Sequence, residues 1–437
     1  MVSKLSSEEV LNFLVIVSLI LITARILGEI CRKYKQSTVI GEILAGVILG
    51  PSLFGLLFPQ QFHEVFLSQP RAYAAFDGLA NIGIILLMFI AGFEVDLKQI
   101  RKHGKQAASI SLMGLIFPFI LGFVTIWFFH DKIFHLPSTN KAIPAMFFGT
   151  ALSITALSVI AKILMDMEML RSKLGNLILT AAMINDFIGW ILFSIIIQML
   201  RTGTQGGSSF SSVGMVLLYT FILLTAGRWI VDKIFLVANK FLSAGAMMTL
   251  AVSLCLLSAV FTEYIGVRSI FGAFLMGVVI GDSKYFSQRL QQILHQFVVN
   301  IIAPLFFASI GLRVNFVANF NFQIVAIILL IACLAKIIGS GLGSRMSGLS
   351  KNESYLIAFG MNSRGSQEIV LGALALQAKI IDEPVFVGLI VMTVVTIVMA
   401  GPLMKFYLEK VNAEKAAAEI KIAAVINTDD QPAAGFT

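Results

Sequence analysis

Charge is scarce in this chain. Aspartate, glutamate, lysine and arginine make up 13% of its 437 residues, against roughly 25% in an ordinary soluble domain. Hydrophobic residues reach 58%. That balance excludes a soluble enzyme and identifies an integral membrane protein. Cysteine is scarcer still: Cys31, Cys255 and Cys333 lie far apart, in or beside apolar runs, and make neither a disulfide framework nor a paired metal spacing. The five histidines, His63, His103, His130, His135 and His295, fall in predicted loops or at the ends of apolar runs, so a histidine metal centre is not expected. No soluble catalytic domain fits between the runs, and no cofactor is expected.

What the chain has in abundance is long apolar sequence. A spanning helix needs about 20 mainly apolar residues, and such runs cover residues 10–30, 38–57, 74–93, 107–129, 142–165, 173–200, 212–231, 245–263, 266–281, 296–312, 321–345, 353–377 and 384–408. The expected fold is an all-α polytopic membrane protein of about 13 transmembrane helices. The first run has no small-residue cleavage site and is long enough to span, so it reads as a retained helix. Residues 1–408 form the membrane domain. Residues 409–437 are a short cytoplasmic tail that begins with helix formers and ends like a disordered terminus.

Lysine and arginine set the orientation. With the N-terminus outside, the inner loops hold "CRKYK", "KQIRKHGK", "RSK", Arg228 with Lys233 and Lys240, Lys284 with Arg289, and Arg345 with Lys351. That is about 17 basic residues against about 8 on the other side, which predicts N-terminus out and C-terminus cytoplasmic. The net charge of +8 is accounted for by topology and lipid headgroups, without nucleic acid. Nothing in the chain addresses an organelle, so a prokaryotic plasma (inner) membrane is the expected location.

The informative residues are the few polar ones inside the runs, because an ionisable group near the bilayer midplane usually faces a cavity or a partner and marks an ion path. Asn185 and Asp186 sit at mid-depth of the sixth run. Burial penalises an ionised carboxylate, so a proton and a cation can compete for Asp186, and the Asn185 amide oxygen suits a hard cation without adding charge. A protonated aspartate that merely bonds a neighbouring helix is the structural alternative. Lys336, in "CLAKIIGSGLGS", is a second such group; it needs a buried partner unless it snorkels to the inner surface.

The third feature is a pair of interrupted helices. "FFGTALSITALSVIAK" in the fifth run places Ser153 and Thr155 in the membrane, and "FGMNSRGSQEIV" in the twelfth places Asn362, Ser363, Arg364 and Glu368 at similar depth. Broken backbone there is tolerated only in a protein-lined cavity, where half-helix ends present their dipoles to an ion site. Arg364 would offset half-helix C-termini and Glu368 N-termini, a structural task. The fourth to sixth runs and the eleventh to thirteenth form two triplets, each with a broken middle member and each starting on the opposite side of the membrane. That inverted pattern is the one expected of a secondary transporter.

Seven segments in order, "VIGEILAGVILGPSLFG", "NIGIILLMFIAGFEVDL", "SITALSVIAKILMDMEMLRSKLGNLILTAAMINDFIGW", "IGVRSIFGAFLMGVVIG", "APLFFASIGLRV", "LAKIIGSGLGS" and "GMNSRGSQEIVLG", resemble the motifs of the monovalent cation:proton antiporter-2 family across about residues 35–400. The resemblance implies a homodimer in which a core domain (about 107–200 and 321–408) carries the ion past a dimerisation domain (about 10–93 and 212–312), with the broken fifth and twelfth helices crossing in the core. It implies exchange of Na+ or K+, or Li+, for H+ by elevator-like alternating access, in the service of pH homeostasis. Asp186 matches the family's ion- and proton-binding aspartate and Thr155 the threonine at the fifth-helix break. Lys336 matches the lysine opposite the acidic pair, and Arg364 with Glu368 the charged pair of the twelfth-helix break. Ser153, Asn362 and Ser363 are further candidate oxygen ligands. Asn185 stands where members that move net charge usually have a second aspartate. One carboxylate gives one proton per cation and no net charge, unless Lys336 also releases a proton. A sodium-coupled symporter of a small organic anion on the same architecture is the alternative reading.

Overall fold

A computed structural model describes residues 4–429 apart from 35–37, 94, 96–103, 130–133, 135–140, 170–171, 204–208 and 266–267. The basic segment from Lys98 to His103, along with His130, His135 and Arg171, lies outside the described residues. The described chain is helical throughout. Among the described residues, ten helices are long and apolar enough to cross a membrane. The other three expected runs are occupied by shorter helices: two broken pairs, and Ser269–Gly281.

In chain order the principal helices are α1 (Ser7–Lys33), α2 (Thr38–Leu49), α3 (Pro70–Phe93), α4 (Gly104–Phe129), α5 (Ala142–Ser153), α6 (Leu157–Asp166), α7 (Lys173–Gly203), α8 (Ser209–Ile222), α9 (Arg228–Phe241), α10 (Ala244–Tyr264), α11 (Ser269–Gly281), α12 (Gln288–Phe297), α13 (Ala303–Arg313), α14 (Phe322–Met346), α15 (Lys351–Met361), α16 (Ser366–Gln377) and α17 (Glu383–Asp429). Five-residue π segments join α8 to α9 and α12 to α13, so each pair continues as one rod. The tenth expected run therefore extends back to Gln288, because the amphipathic α12 leads into the apolar span without a break. No break falls at Leu408: α17 runs on to Asp429, since the sequence after it is rich in alanine, glutamate and lysine.

The helices pack in two groups. In one, α4 lies against α14, α5 and α7, α14 against α15 and α17, and α17 against α15 and α16. In the other, α2 lies against α1 and α13, and α3 against α11, α13 and α1, with α10 on α11. Small residues draw the seams tight, as van der Waals packing in lipid requires. Gly339 and Gly343 form a G-x-x-x-G pair on α14. A Cβ on them would fall 2.4 Å from Met113 O and 2.6 Å from Ser109 O of α4. In the second group a Cβ on Gly277 would lie 2.0 Å from Phe89 O, which holds α11 in backbone contact with α3. Near Asp186 the groups meet through aromatic rings: Phe274 of α11 stands 6.4 Å from Phe187 and 6.0 Å from Trp190 of α7, centroid to centroid.

Candidate functional site

Two helices of the first group are broken in mid-span. The chain leaves α5 at Ser153 and resumes as α6 at Leu157, with Ile154 and Ala156 extended (ψ 153° and 105°). It leaves α15 at Met361 and resumes as α16 at Ser366. The two interruptions cross and bond each other. Ala156 N donates to Ser363 O at 3.1 Å, and Thr155 Oγ1 donates to Met361 O at 3.0 Å. Each break thus supplies partners for backbone groups that the other has freed, which is how unwound chain survives at membrane depth.

The half-helix ends are met by charge. Carbonyls in the last turn of α5 have no intrahelical donor and carry the negative end of its dipole. Arg364, wholly buried, donates through Nη1 to Ala151 O at 2.9 Å and Ile154 O at 3.3 Å, and through Nη2 to Leu152 O at 2.6 Å. At the start of α16, Glu368 Oε2 accepts from Gly365 N at 2.8 Å, a carboxylate at the positive end of a dipole. Glu368 Oε1 lies 3.9 Å from Arg364 Nη1. No continuous helix runs through both residues, since Gly365 is extended and α16 begins at Ser366.

Gly365 sits where the crossing is tightest. Its backbone is extended (φ −169°), which any residue can adopt, yet a Cβ there would lie 2.6 Å from Ala156 Cβ and 3.0 Å from Val159 Cγ2. Gly365→Ala should therefore push the two broken segments apart at a cost of about 1–3 kcal/mol. A melting temperature equal to that of the unaltered protein in the same detergent would show that the crossing has slack.

Lys336 reaches the same place from α14 and is fully buried, so it does not snorkel. An ammonium has three N–H donors. One goes to Gly114 O of α4 at 2.9 Å and one to Ser153 O, the last carbonyl of α5. The third goes to the Asn185 amide oxygen at 2.7 Å, while the Asn185 nitrogen donates to Ser111 Oγ at 2.5 Å and Ser111 O at 2.9 Å. This orientation of the amide follows from the network, since the reverse would aim an N–H at an ammonium. All three ammonium protons rest on neutral oxygens. Arg364, Glu368 and Asp186 are near enough to act on Lys336 electrostatically.

Asp186 follows Asn185 on α7 and is buried, 2% exposed. The Asn185 amide lies 3.5 Å from Thr155 Oγ1, which brings the Asn-Asp pair beside the fifth-helix break. Gly189 lets α7 approach that break, for a Cβ there would stand 2.5 Å from Ile154 Cγ1. Of the other candidate ligands, Ser153 Oγ donates to Gly149 O at 2.7 Å and Leu115 O at 2.9 Å, and Ser363 Oγ to Gly360 O at 2.8 Å. Both hydroxyls hold backbone in place and keep lone pairs for a cation. Asn362 Nδ2 contacts Cys333 Sγ at 3.5 Å, and its Oδ1 has no hydrogen-bond partner among the described residues. Two participants escaped the sequence reading. Ser111 gave only the signal of one more hydroxyl in an apolar run, and the Gly114 carbonyl, being backbone, gave none.

A membrane-embedded crossing of half-helices, lined by buried charges and oxygen donors, defines a secondary transporter of ions, not an enzyme. The chain belongs to the family described as sodium/hydrogen exchanger, transmembrane, which it matches over residues 16–410. It is 33% identical to a protein of Synechocystis named Na(+)/H(+) antiporter NhaS4, over 90% of this chain and 95% of that one. It is 30% identical to cation/H(+) antiporter 17 of Arabidopsis thaliana over 91% of this chain, which spans 48% of the plant protein. The fold is similar to that of the sodium proton antiporter MjNhaP1 of Methanocaldococcus jannaschii, with a TM-score of 0.62 at 18% identity over 92% of this chain and 99% of that one. The protein is thus a multi-pass membrane transporter, and nothing in these likenesses supports the symporter alternative.

Proposed function

We propose that the protein exchanges a monovalent cation, Na+ in the first instance and otherwise K+ or Li+, for H+ across a plasma membrane. Asp186 is the group for which proton and cation compete. The observation that carries this reading is the placement of the buried Asn185-Asp186 pair against the broken fifth helix, beside a lysine whose protons are held by neutral oxygens. Protonated and cation-bound Asp186 carry the same charge, so both forms can cross the membrane. Empty and ionised, Asp186 changes the buried charge of the site by one unit relative to those two forms, which opposes crossing, and that penalty makes the exchange obligatory. Thr155 and Asn362, whose oxygens flank the breaks, would complete the coordination of the cation, with Ser153 and Ser363 as further ligands.

The first helix group is the part that moves, and the second is the static part through which two copies of the chain pair. The N-terminus is outside and the α17 extension is cytoplasmic. With Asn185 standing where a second carboxylate would titrate, Asp186 is the one titrating carboxylate of the pair, so one proton exchanges for one cation and no net charge moves as long as Lys336 keeps its proton.

Purified protein in liposomes with an internal pH dye tests this directly. Na+, K+ and Li+ would be added in turn, with the membrane potential clamped or left free. A proton flux driven by one of these cations and indifferent to the clamp is expected; a flux that quickens under the clamp would sink electroneutral exchange, and no flux with any cation would sink the antiport reading. Asn185→Asp sharpens the test by putting a titrating carboxylate on the Lys336 ammonium. Its flux should become sensitive to the clamp, and continued indifference would exclude position 185 from charge coupling.

A further inference from the structure

The second helix group contains a buried carboxylate that takes no part in the crossing. Glu42 of α2 is 5% exposed, and its Oε2 has no hydrogen-bond partner among the described residues. It lines a pocket between α1, α2 and the π segment that leads into α13, together with Leu21, Arg25, Thr38, Asn300 and Pro304. A carboxylate oxygen left bare at this depth is costly, and a charged donor is the group that best satisfies it. Arg25 is turned elsewhere: its Nη1 donates to Asn300 Oδ1 at 3.1 Å and its Nη2 pairs with Glu29 Oε1 at 2.8 Å. Those two bonds leave the rest of its five N–H donors for another acceptor. Beside the pocket α1 and α2 are in backbone contact, since a Cβ on Gly41 would lie 2.4 Å from Gly28 N.

Depth and surroundings narrow the ligand. The 27 residues of α1 make a rod of about 40 Å, longer than a hydrocarbon core of about 30 Å. Arg25, about 12 Å from the Lys33 end of that rod, sits near the boundary between headgroups and acyl chains. Exposed apolar side chains flank the pocket on both helices, Ile22 and Ile26 on α1 and Phe297 and Ile301 just before α13.

We propose that this pocket binds the primary ammonium of an aminophospholipid headgroup. The N–H donors of that ammonium meet Glu42 Oε2, the lipid phosphate meets the free face of the Arg25 guanidinium, and the acyl chains lie along Ile22 and Ile301. Thr38 donates to the Glu42 side chain but leaves Oε2 bare; an ethanolamine headgroup has N–H donors for that oxygen, and a choline headgroup, being quaternary, has none. The site therefore discriminates between two abundant lipids that differ at one nitrogen.

The test uses the full-length protein with both lipids in competition, bound lipid being counted by native mass spectrometry and stability read from the melting temperature. Phosphatidylethanolamine should be retained over phosphatidylcholine by about ten-fold, as a charge-assisted hydrogen bond allows. The preference should vanish in Glu42→Gln, whereas Arg25→Gln should weaken retention of both lipids. Equal retention of the two lipids by the unaltered protein, a result that needs no variant to fold, would overturn the proposal, as would an undiminished preference in Glu42→Gln. Water-soluble ethanolamine and phosphoethanolamine separate the source of the ammonium. Stabilisation by either one equal to that by the lipid would overturn the lipid assignment, while no effect from either supports it.

Discussion

Asp186→Asn is expected to reduce cation-driven proton flux to that of protein-free liposomes while leaving a folded protein. Asparagine has nearly the same shape as aspartate and keeps an oxygen in the site, but it neither titrates nor carries charge. Position 186 would then be neutral in every state, so occupancy by a proton or a cation could no longer decide which forms cross the membrane. The reading of Asp186 as the exchanging carboxylate predicts loss of both directions of flux at every pH, not a shifted pH profile. The variant should elute as the native species and melt near the native temperature, since a neutral amide at a buried position carries no desolvation penalty for charge. Retained pH-dependent exchange in this variant would remove Asp186 from the mechanism.

Arg364→Ala should produce the largest loss of stability, about 3–5 kcal/mol, the cost of removing one partner from a buried charged network. The guanidinium donates to Ala151, Leu152 and Ile154 carbonyls and stands beside Glu368. Alanine leaves those carbonyls without their donor and Glu368 without its countercharge. Arg364→Lys should recover only part of the loss, because an ammonium is a point donor and cannot span three carbonyls with a planar fork. The measurement is thermal melting of purified protein in detergent. If the alanine variant melts within about 1 °C of the unaltered chain, Arg364 does not hold the crossing together.

Much of this architecture is legible in the sequence because the bilayer constrains it so tightly. An apolar run of the right length has few fates other than a spanning helix, and polar residues in the middle of such a run mark a break or a site. That logic found the interruptions at Thr155 and at Asn362–Gly365, and it singled out Asp186, Lys336, Arg364 and Glu368 as buried charges. The partners of those charges were harder to see. The Lys336 ammonium rests on the Gly114 carbonyl, 222 positions away in sequence, and backbone oxygens leave no trace in a residue string. The resemblance implies a lysine opposite the pair at positions 185 and 186; the structure has it held by the Asn185 amide and two backbone carbonyls. The last helix outruns its apolar span, as the helix formers after Leu408 suggest: hydropathy falls there, but helix propensity does not.

The contact between the two helix groups near Asp186 bears on how fast such a protein can work. Phe187 and Trp190 meet Phe274 through ring faces and edges, a kind of contact that depends on area and shape more than on direction. In the proposed movement of one group past the other, rings would exchange neighbours without stranding a donor or acceptor in a medium that has no water to satisfy it. Such a slip plane would resemble a lubricated bearing: its resistance would be dispersion, spread over many weak contacts and recovered as each ring finds its next neighbour. Turnover at this seam would then depend on how well the rings fit together, and lipid or temperature changes that loosen their packing would be felt in transport rate before they are felt in ion affinity.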